Sequence, residues 1–195
     1  MTASVEIGRR MAASVNVRLG KESLKALADV LLCRKFKKGE RILDEGEVCE
    51  CILFIEKGMT RQFYYKYNKD LTEHIGYENG MVMCLESYFS EKPTRLMIEA
   101  LEVTTAWELN KKKMMALSET NFEIATFYRH IFENSLIDSQ IKADTLRFEP
   151  ANERYAKLVS LHPEILKRAP LIYIASLLQM TPETLSRVRS ASLSE

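Results

Sequence analysis

The chain has 195 residues, of which 46% are hydrophobic and 28% are charged, and this globular composition can supply a packed core. Its formal net charge is only +1 at pH 7, which excludes the overall basic field of a non-specific nucleic-acid binder, so any phosphate contacts must be local. No apolar run reaches the roughly 20 residues that a membrane helix needs, and the N-terminal residues lack a signal-peptide core, so we expect a cytoplasmic protein.

The cysteines and histidines show no spacing typical of a metal or iron–sulfur site. Cys49 and Cys51 lie two residues apart, which places them on one face of an extended segment, and no C-x2-C pair occurs. The cysteines are Cys33, Cys49, Cys51 and Cys84, and the histidines are His74, His130 and His162. We expect free, partly buried thiols, no metal ion and no cofactor.

Residues 1–34 are interpreted as an N-terminal helical segment, although the first 20 carry no clear pattern. Apolar residues at helical spacing predict an amphipathic helix from Ser23 to about Arg34. These residues are Leu24, Leu27, Ala28, Leu31 and Leu32. This helical segment therefore precedes the region in which the apolar residues no longer follow helical spacing.

Short apolar runs separated by glycine and charged turns follow from Phe36 to Leu109. Strands at this spacing predict a small all-β sandwich or barrel. The runs are Ile42-Leu43, Ile52 to Ile55, Gln62 to Tyr67, His74 to Tyr77, Met81 to Met83, Leu96 to Ala100 and Thr104 to Leu109.

A long helix is predicted after the strands. Asn110 is the expected cap of a short helix ending at Leu117, and a helical run then extends from Asn121 to Arg147. The run has two apolar stripes, one more than packing on its own domain requires, although the whole helix could also pack within one chain. The first stripe contains Phe122, Ala125, Phe132, Leu136, Ala143 and Leu146, and the second contains Ile124, Phe127, Ile131, Ile137 and Ile141. Pro150 begins a further helix, from Ala151 to His162.

Two short helices joined by a tight turn are predicted from Leu171 to Arg189. Thr181 is the expected N-cap of the second helix, and Pro182, its first residue, sacrifices no hydrogen bond there. Leu185 and Val188 face inward, and the outward side carries Glu183, Ser186, Arg187 and Ser190. An acceptor, hydroxyls and a planar fork donor near a helix start suit the reading of base edges in a DNA major groove. From spacing alone, a helical hairpin with a solvated polar face explains the residues equally well.

The same segment resembles a known DNA-binding motif. Ile174-Ala175-Ser176-Leu177-Leu178 followed by Thr181-Pro182-Glu183-Thr184-Leu185-Ser186-Arg187 is similar to the helix-turn-helix of the cyclic-AMP receptor and fumarate-nitrate regulator (Crp/Fnr) family of bacterial transcription factors. Gln179 occupies the turn position where such motifs usually carry glycine, so it must adopt a left-handed conformation. Leu171-Ile172-Tyr173 is apolar where family members are usually polar. The resemblance implies DNA contacts by Thr181, Glu183, Thr184, Ser186, Arg187 and Ser190.

The β-rich segment resembles the cyclic-nucleotide-binding β-roll of the same family, so that the likeness covers about residues 20–190. Glycine-bearing turns carry it, because tight turns between strands need positive φ. These turns are Phe36-Lys37-Lys38-Gly39-Glu40, Asp44-Glu45-Gly46-Glu47, Phe54-Ile55-Glu56-Lys57-Gly58 and Glu78-Asn79-Gly80. A different small β-barrel with similar turns is the alternative. The family forms parallel dimers through its central helix, which implies a homodimer joined along Asn121 to Arg147.

The stretch from Met83 to Leu96 corresponds to the ligand cassette of that family. Arg95 falls at the family's arginine position, which implies an effector pocket that includes Glu86, Ser87 and Arg95. Cys84 or Leu85 replaces the glycine whose backbone approaches the cyclic phosphate, and Leu96 replaces a serine hydroxyl. The expected effector is therefore unknown but is not cyclic AMP. Alternatively, Arg95 is a surface ion-pair residue.

We therefore predict an α+β chain in three parts. The first part, residues 1–120, is a cyclic-nucleotide-binding-like effector domain that folds as a double-stranded β-helix (β-roll) with flanking helices. The second is a long dimerisation helix at 121–148. The third is a helix-turn-helix domain at 149–195 without an evident β-wing. The expected function is a transcription regulator, not an enzyme, that binds an inverted-repeat DNA site as a homodimer, with RNA polymerase as a further partner and no membrane. The first alternative is a sensor or interaction module of the same fold that has lost DNA binding, which Gln179, the near-zero charge and the missing wing favour. The second is an enzyme that uses Glu86, Glu91 and Arg95 in a cleft.

Overall fold

Two four-stranded antiparallel sheets share a hydrophobic core in the computed structural model, which describes residues 2–192. The strands are β1 (Leu32–Phe36), β2 (Arg41–Leu43), β3 (Cys51–Lys57), β4 (Met59–Lys66), β5 (Lys69–Tyr77), β6 (Met81–Val82), β7 (Met97–Ala100) and β8 (Thr104–Asn110). One sheet has the order β1-β8-β3-β6 and the other has the order β2-β7-β4-β5. The chain crosses repeatedly between the sheets, and this topology confirms the predicted β-roll.

Helices flank the sheets and form the whole of the C-terminal part. They are α1 (Ala3–Ser14), α2 (Lys21–Val30), α3 (Leu85–Ser90), α4 (Lys111–Thr120), α5 (Phe122–Phe148), α6 (Ala151–Leu161), α7 (Pro163–Arg168), α8 (Leu171–Leu177) and α9 (Pro182–Ser192). The expected cap at Asn110 is present, because its side chain accepts a hydrogen bond from the Lys113 N–H. Asn121 caps α5 in the same way, by accepting from the Ile124 N–H at 3.1 Å.

The predicted extension of the N-terminal helix to Arg34 is wrong. Helix α2 ends at Val30, and β1 pairs antiparallel with β8, with Leu32 opposite Glu108. Leu32 continues the helical spacing of apolar residues, yet it is 52% exposed, so the backbone pairing with β8 decides its conformation. The strands predicted from Ile42 onward are all present, and β5 begins at Lys69 rather than at His74.

Gly58 lets the chain pass from one sheet to the other between β3 and β4. Its φ is +110°, and a Cβ atom at this position would lie 2.6 Å from the Cα of Thr104. The Thr104 hydroxyl donates to the carbonyl of Met59, the residue after the glycine, at 3.2 Å. Residue 58 must therefore be glycine for β4 to start where it does.

Helix α5 is divided between a buried and an exposed half. Ile124, Phe127 and Ile131 are buried in the core of the β-roll, together with residues of α1, α2 and both sheets. Beyond Ile131 the helix continues for 17 more residues, to Phe148, and large apolar side chains on this part face solvent. These exposed side chains are Leu136, Ile137, Ile141 and Phe148.

The C-terminal helices pack on the second sheet through a second hydrophobic core. Met59 of β4 and Ile75 of β5 share this core with Tyr155, Ile174 and Leu185 of helices α6, α8 and α9. A hydrogen bond at 2.8 Å from the Thr72 N–H to the Ser176 hydroxyl also ties β5 to α8.

Arg61 of β4 lies at the centre of this junction and is only 2% exposed. Its guanidinium donates two hydrogen bonds to Asp70, at 2.7 and 2.8 Å, and one to Glu99 at 2.9 Å. The same group lies 3.7 Å from the ring centre of Tyr173 in α8 and 3.9 Å from that of Phe63. One buried cation therefore joins β4, β5 and β7 to the first helix of the C-terminal pair.

Arg168, the last residue of α7, forms a second polar link to the sheets. It donates to both carboxylate oxygens of Glu78, at 2.7 and 3.0 Å, and also forms an ion pair with Glu102. Arg168 is thereby committed to the junction, whereas the neighbouring Lys167 is exposed and contacts Glu164 at 2.7 Å.

We predict that Arg61→Ala strongly destabilises the chain, because it leaves the carboxylates of Asp70 and Glu99 without their cation. Removing one partner of a buried ion pair costs about 3–5 kcal/mol. Arg34→Ala is the matched control, since Arg34 is half-exposed and its pair with Glu108 at 3.2 Å should contribute only about 0–1 kcal/mol. Chemical denaturation measures both free energies of unfolding. Equal losses in the two variants would contradict the role given to Arg61.

We also predict that the Glu78–Arg168 link weakens in acid. Burial raises the pKa of the Glu78 carboxyl, but hydrogen bonds from Arg168 and from the Gly58 N–H outweigh burial and lower it from 4.5 to about 2. Because the folded-state pKa is depressed, the stabilisation is complete above pH 4.5 and is lost as the pH falls towards 2. Unfolding free energies measured across this range should therefore fall less in Glu78→Gln than in the wild type. The exposed Glu119→Gln control should follow the wild-type curve; if Glu78→Gln does so as well, the link does not titrate as described.

Candidate nucleic-acid interface and effector pocket

Helices α8 and α9 form the expected pair with a tight turn between them. Gln179 in this turn has a φ of +51°, so it adopts the left-handed conformation expected where relatives carry glycine. The Met180 N–H donates to the Ala175 carbonyl at 2.9 Å, which closes the end of α8. The Thr181 hydroxyl accepts from the Thr184 N–H at 3.2 Å and so caps α9 as predicted.

The two sides of α9 divide as the sequence predicts. Leu185 is buried in the second core and Val188 packs against it, whereas the candidate DNA-reading residues at the start of the helix face solvent. The exposed residues are Glu183, Ser186, Arg187 and Ser190. Thr181 is also exposed and Thr184 is half-buried, and both take part in the cap.

Arg187 is not paired with Glu183 in the described part of the chain. Its guanidinium donates instead to the Thr184 hydroxyl, at 3.5 Å. Hydrogen bonds from the Glu183 backbone N–H and the Thr181 hydroxyl, together with the charge of Arg187, lower the pKa of the Glu183 carboxyl. The helix therefore presents an ionised acceptor and a guanidinium one turn apart, without an ion pair that would neutralise them.

Residues predicted to form an effector pocket surround a hollow of about 310 Å³ beside α3. Its walls are formed by Cys84, Glu86, Ser87, Ser90, Lys92, Pro93, Thr94, Arg95 and Leu96. Glu86 and Arg95 are exposed at its rim. Arg95 has no ion-pair partner among residues 2–192, so the alternative reading as a surface ion-pair residue finds no partner carboxylate.

Ser87 shapes the hollow, and its hydroxyl is already engaged. It donates to the Lys92 carbonyl at 2.6 Å and accepts from the Cys49 N–H at 3.0 Å. Lys92 and Thr94 also line the hollow, and no sequence pattern predicts this, because it depends on how the chain after α3 folds back over the helix. Thr94 is held there by its N–H, which donates to the Glu47 carbonyl at 2.8 Å.

The three residues of the enzyme alternative do not converge in one cleft. Glu86 and Arg95 line the hollow, but Glu91 does not, and its carboxylate binds Lys111 at 2.8 Å. No cluster of three or more histidine, cysteine or acidic residues suited to a metal ion occurs among residues 2–192.

The cysteines are free, as predicted, but their burial is less uniform than expected. Cys33 is exposed, because β1 is an edge strand whose outer face meets solvent. Cys49 and Cys84 are buried, and Cys51 is half-buried. Within the described chain no helix is both long and apolar enough to cross a membrane.

Known proteins share the β-roll domain and the overall fold described above. Residues 33–121 match the cyclic nucleotide-binding domain family, and no curated protein matches the sequence. The chain is similar in structure to FixK2 from Bradyrhizobium japonicum, with a TM-score of 0.71 and 19% identity over 85% of each chain. It is also similar to the catabolite activator protein of Thermus thermophilus, with a TM-score of 0.57 and 19% identity over 93% of this chain and 87% of that chain.

A third similar structure is CLP from Xanthomonas campestris, a global regulator that responds to c-di-GMP. Its TM-score is 0.67 at 12% identity, over 90% of this chain and 92% of that chain. The likeness to these three structures therefore extends over most of the chain. The chain therefore matches the cyclic nucleotide-binding domain family over residues 33–121 and shares the fold of Crp/Fnr transcription regulators.

Proposed function

We propose that this transcription-regulator fold binds DNA as a homodimer through α9, under the control of a small effector, other than cyclic AMP, in the hollow beside α3. The observation that carries the proposal is the solvent-facing start of α9, where Glu183, Ser186 and Arg187 share one exposed side. Their inward neighbour Leu185 is anchored in the second core, so the reading side is held on a rigid support.

The chemistry of this side favours a half-site that contains a G·C pair. A guanidinium can donate two hydrogen bonds to O6 and N7 of guanine, and a carboxylate can accept from N4 of cytosine. Arg187 and Glu183 supply these groups, and no ion pair between them has to break first. A two-fold symmetric dimer would read an inverted repeat with half-sites about one helical turn apart.

The exposed half of α5 is the surface proposed for dimerisation. Ile137, Ile141 and Phe148 recur at a spacing that places them on one side of the helix, and Ile141 is 55% exposed. Phe132 belongs to a different contact, because it packs within the chain against Phe89 at 4.7 Å between ring centres. The apolar residues beyond Ile131 therefore mark the segment that a second copy would cover.

The proposal that a small effector binds is supported by the hollow and by Arg95. An exposed guanidinium without an ion-pair partner among residues 2–192 suits an effector with a negative charge. CLP, which shares the fold, responds to c-di-GMP, so effectors other than cyclic AMP occur among structurally similar proteins. RNA polymerase is a further partner that we propose for this function.

The alternative, a module of the same fold that does not bind DNA, is favoured by the net charge of +1 and by the commitment of Arg168 to Glu78 and Glu102. Both features leave few basic groups for phosphates. A gel shift against a random duplex library at low salt separates the two functions. Retarded duplexes that enrich a sequence support the regulator, and no retardation supports the module.

We predict that Arg187→Ala weakens binding to the selected DNA by about 1–3 kcal/mol and relaxes the preference for guanine. Arg187→Lys is a sharper test, because it keeps the charge but removes the planar fork. Arg189→Ala is the control, since this exposed arginine lies two positions further on and projects from a different side of α9. Sequence selection with each variant gives the preferred base at every position. An unchanged preference in Arg187→Ala would show that this residue does not read bases.

We predict that Ile141→Glu converts the dimer to monomers, because it places a charge in an apolar contact. Ser139→Glu adds the same charge two positions earlier, on nearly the opposite side of α5, and should leave the dimer intact. Sedimentation at micromolar concentration distinguishes the species. A monomeric wild type, or two variants that behave alike, would contradict the dimer surface.

We predict no tight binding of cyclic AMP. Leu96 offers no hydroxyl to the cyclic phosphate, and a side chain at residues 84 and 85 blocks the backbone approach that glycine gives relatives. Each lost hydrogen bond to a charged group costs about 1.5–3 kcal/mol, or roughly tenfold or more in affinity. Calorimetry with the wild type should detect no sub-micromolar binding, whereas Leu96→Ser should bind more tightly than the wild type. Sub-micromolar binding by the wild type would overturn the prediction.

A further inference from the structure

Two buried cysteines from distant parts of the sequence meet beneath the effector pocket. Cys49 precedes β3 and is 3% exposed, and Cys84 precedes α3 and is 1% exposed. The backbone N–H of Cys84 donates to Cys49 Sγ at 3.4 Å, so the two residues are in direct contact. Cys84 also forms part of the wall of the 310 Å³ hollow. A small molecule that enters the hollow therefore meets Cys84 in its wall, and Cys49 lies directly behind Cys84.

The surroundings of the two sulfurs favour a thiolate on Cys49. A hydrogen bond from the Cys84 thiol lowers the pKa of Cys49, and the Cys84 N–H adds to this effect against the opposing effect of burial. The pKa of Cys84 is raised, because the same hydrogen bond retains its proton and because the thiol is buried. While Cys49 is neutral, its thiol donates to the Cys51 carbonyl at 3.4 Å. One sulfur thus becomes the nucleophile while its neighbour stays protonated.

The other two cysteines lack this arrangement. Burial and the charge of Glu108 raise the pKa of Cys51 to about 12, so this thiol stays protonated. Burial of its sulfur and the charge of Glu56 also raise the pKa of Cys33, although the residue is exposed. Cys51 and Cys33 are therefore internal references for the reactivity of the buried pair.

We propose that Cys49 and Cys84 form a peroxide-reactive dithiol site at the wall of the effector pocket. The Cys49 thiolate attacks one oxygen of hydrogen peroxide, the O–O bond breaks, and the departing hydroxide takes up a proton to leave as water. The sulfenic acid on Cys49 is then attacked by the sulfur of Cys84. The S–S bond forms, and the sulfenic hydroxyl leaves as water with the thiol proton of Cys84. Two thiols and one peroxide thus give one disulfide and two waters.

The position of the dithiol site links its oxidation to the effector pocket and to the C-terminal helices. Gln62 of β4 donates to the Met83 carbonyl at 2.8 Å and contacts Cys84 Sγ at 3.6 Å. The residue before it, Arg61, holds Tyr173 of α8. A disulfide that draws residue 84 towards residue 49 changes the wall of the pocket and the contact that Gln62 makes from the strand behind the C-terminal helices.

The test is to treat the full chain with dilute hydrogen peroxide, alkylate it under denaturing conditions, and map its peptides by mass spectrometry. The expected result is a loss of two thiols within one chain and a peptide that links Cys49 to Cys84, reversed by dithiothreitol, while Cys51 remains alkylated. This readout does not involve DNA, so it is independent of the proposed function. Oxidation confined to Cys33 or Cys51, with Cys49 and Cys84 both alkylated, would overturn the proposal.

Two variants with equal numbers of cysteines provide the matched control. Cys33→Ser/Cys51→Ser retains the buried pair and should form the disulfide as readily as the wild type. Cys33→Ser/Cys49→Ser retains Cys51 and Cys84 and should form none. A disulfide in the second variant at the wild-type rate would show that proximity to Cys49 is not what makes the site reactive. If either variant fails to fold, the peptide map of the wild type still decides the question.

Discussion

The buried guanidinium of Arg61 is the contact on which the junction between the β-roll and the C-terminal helices depends. A charge that is removed from water must be paired, and the geometry that satisfies it here is narrow: two bonds to Asp70, one to Glu99 and a stack on Tyr173. Such a site adds little net stability over an apolar one but tolerates few alternative arrangements. The Arg61 guanidinium therefore fixes where α8 lies on the sheet, and the position of α9 follows from that of α8.

The side chains of β4 alternate between its two faces, which places this junction next to the hollow beside α3 without a direct contact between them. Arg61 faces the helices, while Gln62 faces the opposite side and reaches residues 83 and 84. The register of β4 and β5 shifts immediately after Gln62, so Glu73 has no opposite residue on β4, and such a bulge increases the local twist of the strands. A change at the pocket and a change at the helix pair therefore act on neighbouring residues of one strand.

Helix α5 shows how one amphipathic element can serve two contacts. Its first half completes the core of the β-roll through Ile124, Phe127 and Ile131. Its second half meets the sheets through the ion pair of Lys142 with Glu73 of β5, but the large apolar side chains on this half face solvent. These apolar side chains form the surface that we propose for dimerisation. The C-terminal helices return against the other sheet, so the exposed side of α5 and the exposed side of α9 remain available together.

The sequence by itself determined the elements whose signals are local. Alternating apolar runs and glycine turns predicted most strands, asparagine and threonine side chains predicted the caps of α4 and α9, and the turn position of Gln179 predicted its left-handed backbone. Tertiary structure decided whatever depended on partners far along the chain. Pairing with β8 made Leu32 part of a strand although its spacing was helical, and Glu78, 90 residues before Arg168, holds that arginine at the junction with the sheets. Cys49 and Cys84 likewise met only because two loops fold together, since their separation along the chain carries no periodic signal that a sequence pattern could reveal.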